Sequence, residues 1–222
     1  MIDLHTHTIL SDGALLPAEL VRRAEISGYK AIALTDHVDS GNMEIVLTQL
    51  IKVSNDLNGQ GGIKVLPGVE ITHMPPSLIP NLAEQARRLG AKIVVAHGES
   101  PVEPVAPKTN WFSLQSDIDI LAHPGMITEE EIQMAKEKGI YLEVSARRGH
   151  CLTNGRLVSL ARKQGAGLVI NTDAHESKEL FTLEMVRKIG LGAGLTEEEL
   201  EKVFRNSEEL VNKRFLLSSQ IP

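Results

Sequence analysis

His5 and His7, in the run Asp3-Leu4-His5-Thr6-His7-Thr8, stand two residues apart at the end of a short apolar stretch. In an extended chain that spacing turns both imidazoles to one side, where they can share a metal ion. Asp12 follows in Ser11-Asp12-Gly13, on the turn that the stretch feeds. His37, Glu70, His97 and His123 each close a later apolar run, and Asp173 and His175 close the last one in Thr172-Asp173-Ala174-His175. One histidine in such a place is ordinarily a hydrogen-bonded core residue. Six of them with three carboxylates, on segments that end side by side, are a ligand set. Nine nitrogen and oxygen donors are too many for one ion, since zinc takes about four ligands, so two or three divalent ions are implied, with a carboxylate bridging. Imidazole and carboxylate without thiolate suit Zn, Mn or Fe. Such a centre makes hydroxide at neutral pH and clamps attacking and leaving oxygens, which is the chemistry of ester or amide hydrolysis and suits phosphate esters best.

The elements that must position these residues repeat one phrase: an amphipathic helical segment, a glycine, then a short apolar run ending in a polar residue. Ala24–Gly28 leads to Ala31–Leu34, Ala86–Gly90 to Ile93–Ala96, Ala135–Gly139 to Ile140–Leu142, and Ala161–Gly165 to Leu168–Ile170. Each glycine suits the left-handed residue just past a helix end. Each run is too short for a helix and too continuously apolar for a one-faced strand, so it reads as a strand buried on both faces. The spacing predicts strands near 2–5, 31–36, 64–70, 92–97, 118–123, 140–145 and 168–172. It predicts helices near 17–27, 43–57, 78–89, 128–138, 154–164, 178–188, 197–204 and 207–214. Thr128 and Thr196, each followed three residues on by Glu131 and Glu199, are capping boxes. Seven strands alternating with helices predict an α/β fold, a small βα barrel, since the eightfold barrel takes about 250 residues. A doubly wound sheet is the runner-up, disfavoured because no glycine-rich phosphate fingerprint follows the first strand. In a barrel the strand ends converge on one mouth, and the nine donors meet there.

Composition narrows the function. The chain has 222 residues, 42% hydrophobic and 23% charged, with a net charge of −6, and it reads as one domain, 1–222. The charge argues against a stable nucleic-acid partner. With 3% aromatic residues there is no evident stacking platform, although Trp111, Phe112 and Tyr141 could each serve one base. The lone Cys151 forms no internal disulfide, and neither a leader nor a membrane-spanning run is evident, so the expected location is the cytoplasm. Residues 98–110, with proline at 101, 104 and 107, break the helical rhythm and predict an extended loop directly after His97, a connector or a lid.

Arg147 and Arg148 follow the sixth strand, and one of them is expected to contact phosphate. His150 and His73 lie just past strand ends and are candidates to protonate a leaving oxygen. Glu143 reads either as a core carboxylate or as a group orienting a ligand, and Asp3 and Asp36 as residues that orient their neighbours.

The motifs DLHTHT with SDG, TDH, GVE, AHG, AHPG and TDAH, in that order from residue 3 to residue 175, resemble the polymerase and histidinol phosphatase (PHP) family. The resemblance implies a distorted (β/α)7 barrel and a metal-dependent phosphoesterase, most members of the family being trinuclear. It implies that His5, His7, Glu70 and Asp173 hold one ion, that Glu70 bridges to a second held by His97 and His123, and that Asp12, His37 and His175 take the third. Some members place a histidine where Asp12 stands. The expected reaction is attack on a small phosphate monoester by a metal-bridging hydroxide. Histidinol phosphate is the leading substrate type and a nucleotide or oligonucleotide end the second. A non-catalytic module of a DNA polymerase and an amide-cleaving metallohydrolase are the remaining alternatives.

Overall fold

A computed structural model describes residues 1–216; the last six residues of the expected domain, 217–222, lie outside the described residues. The parallel strands are β1 (Ile2–Asp3), β2 (Ala31–Leu34), β3 (His37–Val38), β4 (Lys64–Ile71), β5 (Ile93–His97), β6 (Ile120–Ala122), β7 (Tyr141–Ser145) and β8 (Leu168–Asn171). They pair in the order β1-β2-β4-β5-β6-β7-β8. β3 continues the stave begun by β2, because both pair with β4 in one register direction, Leu34 opposite Pro67 and His37 opposite Glu70. The expected strand 31–36 is split at Thr35 and Asp36, whose side chains serve the first loop instead. Thr6 N donates to Thr35 Oγ1, and Thr8 N to Asp36 Oδ1. Seven staves therefore form a nearly closed barrel, the distorted (β/α)7 architecture that the alternating pattern predicts. The seam between β1 and β8 is closed by Leu4 N donating to Asn171 Oδ1 and by His7 N donating to Ala174 O at 2.9 Å, rather than by a ladder.

The helices are α1 (Pro17–Ile26), α2 (Met43–Asn58), α3 (Ile79–Arg88), α4 (Thr109–Ser113), α5 (Glu129–Lys138), α6 (Asn154–Gln164), α7 (Leu183–Gly192) and α8 (Glu197–Leu216). Gly139 and Gly165 end α5 and α6 in the left-handed conformation, as the repeated phrase requires. Thr128 closes its capping box with Glu131. Two expectations are corrected. The helix expected at 178–188 begins later, at Leu183, because the Glu179 carboxylate is spent on His175 N and Glu176 N in a tight turn, and Thr182 then caps the helix. The helices expected at 197–204 and 207–214 are one, because Asn206 and Ser207 are buried rather than a break. Asn206 Nδ2 donates to Leu168 O, and Ser207 Oγ bonds back to Val203 O within the helix.

The strands bury both faces. Ala31, Ala33, Leu66, Ile93, Val95, Ile120, Ala122 and Val169 fill the barrel interior, and Leu210 and Val211 of α8 seal its lower end. Ile32, Leu34, Val94, Ala96, Leu142 and Val144 face the helices. Continued upward, the same alternation turns Glu70, His97 and Glu143 inward at the carboxyl ends of their strands. Among the described residues no helix is long and apolar enough to cross a membrane.

Candidate metal centre

The barrel mouth gathers all nine expected donors. Of these, His5, His7, Glu70, His97, His123, Asp173 and His175 are buried, whereas Asp12 is exposed and His37 partly so. The ligand atoms form groups of at least three within 4.8 Å of one another: His7, Asp12, His37 and His175; His5, His7 and Glu70; His5, His123 and Asp173; and Glu70, His97 and His123. Within them, nitrogen-to-oxygen separations are 3.3 Å for His5 Nε2–Glu70 Oε2, 3.2 Å for His7 Nε2–Asp173 Oδ1, 3.5 Å for His123 Nε2–Glu70 Oε1 and 3.2 Å for His175 Nε2–Asp12 Oδ1.

Local backbone places these donors. A Cβ on Gly13 would lie 2.4 Å from His7 O, so only glycine lets the Ser11–Gly13 turn fold onto the first strand and carry Asp12 to the mouth. A Cβ on Gly125 would lie 1.8 Å from Glu99 O, so the loops after β5 and β6 meet at van der Waals distance beside His97 and His123. His123, Asp173 and His73 all have positive φ, at 28°, 53° and 52°. Left-handed backbone at non-glycine residues is held only where the surroundings force it, and it clusters at functional sites.

The rings are oriented from behind. His5 Nδ1 lies 2.8 Å from Glu143 Oε2, which also accepts from Asn171 Nδ2. His37 Nδ1 lies 2.7 Å from Thr72 Oγ1, His97 Nδ1 2.9 Å from Gly98 O, and His175 Nδ1 2.9 Å from Asp173 O. For His5 and His97 the outer nitrogen is engaged and Nε2 is left for the centre, the arrangement that fixes the tautomer of a ligating imidazole, whereas His37 Nδ1 also lies 2.8 Å from Glu70 Oε2 and His175 Nδ1 also meets Arg147 Nη1. Asp3 accepts from Thr172 and Asp36 from Thr8 and Ser11, so these two carboxylates fasten the ligand-bearing loops together.

The buried polar atoms test whether cations fit here. His5 Nε2, both ring nitrogens of His7 and both oxygens of Glu70 are buried without a hydrogen bond. Unpaired buried polar atoms are costly, and so many aimed at one point call for a ligand. Electrostatics agree. Burial would raise Glu70 and Asp173, but the surrounding imidazoles hold both carboxyls below their usual range. Burial, with the charge of His37, pushes His7 down to about 3, so one imidazole stays neutral beside its charged neighbours. Burial would lower His5, His37 and His97, but the carboxylates raise all three in turn, and divalent cations held by the ionised carboxylates would take the place of those protons.

The remaining expected residues divide. His150 is buried, with Nδ1 2.6 Å from Ser100 Oγ, and its ring stacks on His123 at 4.2 Å. His73 is exposed. Arg147 Nη1 donates to Asp173 O and Glu179 Oε2 and lies 2.8 Å from His175 Nδ1, so it braces the wall. Arg148 is exposed and makes no hydrogen bond or ion pair among the described residues. Tyr141 opens β7 at the opposite end of the barrel, away from the mouth. Trp111 lines a cavity of about 520 Å³ with Glu99, Lys108 and Met126, at the mouth end between the loop after β5 and the start of α5. One residue at the mouth was not foreseen: Glu103, whose carboxylate faces His73, His97 and His150.

The family model described as the PHP domain matches residues 3–101, the segment that carries His5, His7, Asp12, His37, Glu70 and His97. An uncharacterized protein of Methanocaldococcus jannaschii is 47% identical over 96% of this chain and 98% of its own length. The chain belongs to the PHP domain family. A probable phosphatase of Thermoanaerobacter sp. is 27% identical, covering 89% of this PHP chain and 88% of its own. Among solved structures, a chain in archaeal ribonuclease P with mature tRNA superposes with a TM-score of 0.73 at 16% identity, over 100% of this chain and 95% of that one. The histidinol phosphate phosphatase of Lactococcus lactis, in complex with zinc, L-histidinol and phosphate, gives 0.60 at 16% identity, over 88% and 94%. At that identity both show the fold alone.

Proposed function

We propose that this chain, a phosphoesterase of the PHP domain family, hydrolyses a small phosphate monoester at a centre of three divalent ions. The observation that carries the reading is the set of nine donors at one barrel mouth, with ring nitrogens fixed from behind and buried oxygens left unpaired. His5, His7, Glu70 and Asp173 would hold one ion, Glu70, His97 and His123 the second, and Asp12, His37 and His175 the third. Bound there, the ions would supply Lewis-acid polarisation of the phosphoryl oxygens and a hydroxide nucleophile at neutral pH.

The chain's own residues do the rest. Arg147 braces the loop after β8 that carries Asp173 and His175, and Arg148, unpaired among the described residues, would be the guanidinium that meets the phosphate. His150 would protonate the departing ester oxygen as an imidazolium, Nδ1 held by the Ser100 hydroxyl and the Nε2 proton facing the mouth. His73 is too exposed for that task. The relatives support the phosphate reading. One is named a probable phosphatase, and a protein of the same fold was solved with zinc, L-histidinol and phosphate. A nucleotide or oligonucleotide end is the second reading, favoured by the 520 Å³ cavity at the same end of the barrel, where the chain's only tryptophan could stack on a base.

The test is phosphate release by manganese-loaded protein from histidinol phosphate, nucleoside monophosphates and short 5′-phosphorylated oligonucleotides, with Asp173→Asn as control. Turnover of any of them, lost in the variant, supports the reading, and the preferred substrate chooses between its two forms. No release from any of them at confirmed metal content refutes it.

A further inference from the structure

The proline-rich segment after β5 is not a loose connector. Its ends are stapled: Glu99 N donates to Asn110 Oδ1 and Asn110 N to Glu99 Oε1, both at 3.0 Å, while Asn110 Nδ2 donates to Pro124 O at 2.8 Å. The closed loop carries Glu103 back over the barrel mouth. Its Oε2 lies 3.0 Å from His97 Nε2 and 3.0 Å from His73 Nε2, and its Oε1 lies 3.3 Å from His150 Nε2.

The contact with His97 is informative because of what the other ring nitrogen does. Nδ1 of His97 faces Gly98 O, an acceptor, so Nδ1 carries a proton and the neutral ring offers a bare lone pair at Nε2. A lone pair and an ionised carboxylate 3.0 Å apart repel unless a cation lies between them. That cation is either a proton, which makes His97 unfit as a ligand, or a metal ion. Two ligands of one ion, with bonds of about 2.1 Å, stand about 3.0–3.5 Å apart. The 3.0 Å between Glu103 and His97 fits that spacing and falls within the spread among the nine donors, which runs from 2.8 Å for His37–Glu70 to 4.0 Å for His7–Asp12. His97 appears in two donor groups, with Glu70 and His123 and with His73 and Glu103. With Nδ1 engaged it has one nitrogen to give, so both groups surround a single ion.

We propose that Glu103 is a further ligand of the ion held by Glu70, His97 and His123, brought in by the proline-rich loop, which that bond ties across the mouth. His73 stands at the rim of the same position. The inference rests on the metal-centre reading above and adds two consequences. The ion has a carboxylate where a catalytic metal keeps an open position, and the loop's order depends on metal.

Two measurements test this, neither of them activity. The protein and Glu103→Gln are stripped with chelator and titrated with Mn2+, and each is digested with trypsin, whose target Lys108 is exposed at the loop's end. Glu103 is on a surface loop outside both cores, and circular dichroism of the variant verifies its fold. The expected result is that Glu103→Gln weakens one class of Mn2+ site by at least about tenfold and leaves the others unchanged. Mn2+ should also slow cleavage at Lys108 in the wild type but not in the variant. Wild-type binding with unchanged sites in the variant, and equal protection at Lys108, overturns this inference alone. A wild type that takes up no Mn2+ overturns the metal centre and this inference with it.

Discussion

Which ring nitrogen each histidine presents decides what the mouth can bind. His5 shows the principle most plainly, because its Nδ1 and Nε2 face different carboxylates: Glu143 Oε2 at 2.8 Å behind it and Glu70 Oε2 at 3.3 Å in front. Glu143 is fully buried, and besides His5 it holds Asn171, so it orients a ligand and does not itself face the centre. Glu143→Gln keeps the shape and removes the charge that favours a proton on Nδ1. The expected outcome is a loss of about 10–100-fold in metal affinity or activity, read by Mn2+ titration and phosphate release. An unchanged titration would show that Glu143 is only a core carboxylate. At this scale most of the centre was legible, because a histidine or carboxylate that ends a buried strand stands out from an apolar run. Glu143 itself read two ways, since a buried carboxylate looks the same in sequence whatever it bonds. Glu103 was illegible for the opposite reason. It sits among prolines on a polar loop, where a glutamate is the ordinary solvated residue, and only the staple between Glu99 and Asn110 turns it inward.

The barrel's elements divide their work between its two ends, one for chemistry and one for stability. At the lower end, Asp119 precedes β6 and is buried between two arginines: Arg87 Nη2 donates to Oδ2 at 2.7 Å, and Arg214 Nε of α8 donates to Oδ1 at 2.7 Å. Val94 N donates to the same carboxylate, so one side chain ties α3, β5, β6 and α8 together. Removing one partner of a buried pair strands the other charge at a cost of about 3–5 kcal/mol. The arginine side chains keep 14% and 16% exposure, which places Asp119→Ala toward the low end, about 3 kcal/mol. The expected outcome is a lower urea midpoint with the turnover of the folded fraction unchanged. A fall in turnover at full folding would contradict the division between the two ends. The helix–glycine–strand phrase made the barrel legible because left-handed glycines and doubly buried strands leave strong local marks. The continuous α8 left none. Asn206 and Ser207 look like a turn, and what keeps them helical is a long-range bond from Asn206 to Leu168.

For the molecule as a whole, the mouth is a balance between protons and metal ions. In the metal-free chain, burial alone would lower His37, but the Glu70 carboxylate outweighs it and, with Asp12, raises the imidazole to about 9. A histidine with a raised folded value contributes stability that is complete below the unfolded value of about 6.5 and is lost as pH rises through the folded one. Two neighbours act below that window. Burial lowers His7 to about 3, which costs stability only under pH 6.5 or so, and burial raises Asp3 to about 7, a contribution exhausted above that pH. Between about pH 7 and 8.5 the stripped protein should therefore lose stability, because folded His37 holds a proton that the unfolded chain has already released. The loaded protein should not, because ions need the neutral imidazole and bind more tightly as competing protons leave. Binding to the folded state alone then adds stability by mass action. Thermal unfolding of chelator-stripped and Mn2+-loaded protein across this range should show the stripped midpoint falling and the gap between the two widening. A gap that narrows as pH rises would mean that protons, not metal ions, are the counter-charge this cluster is built to hold.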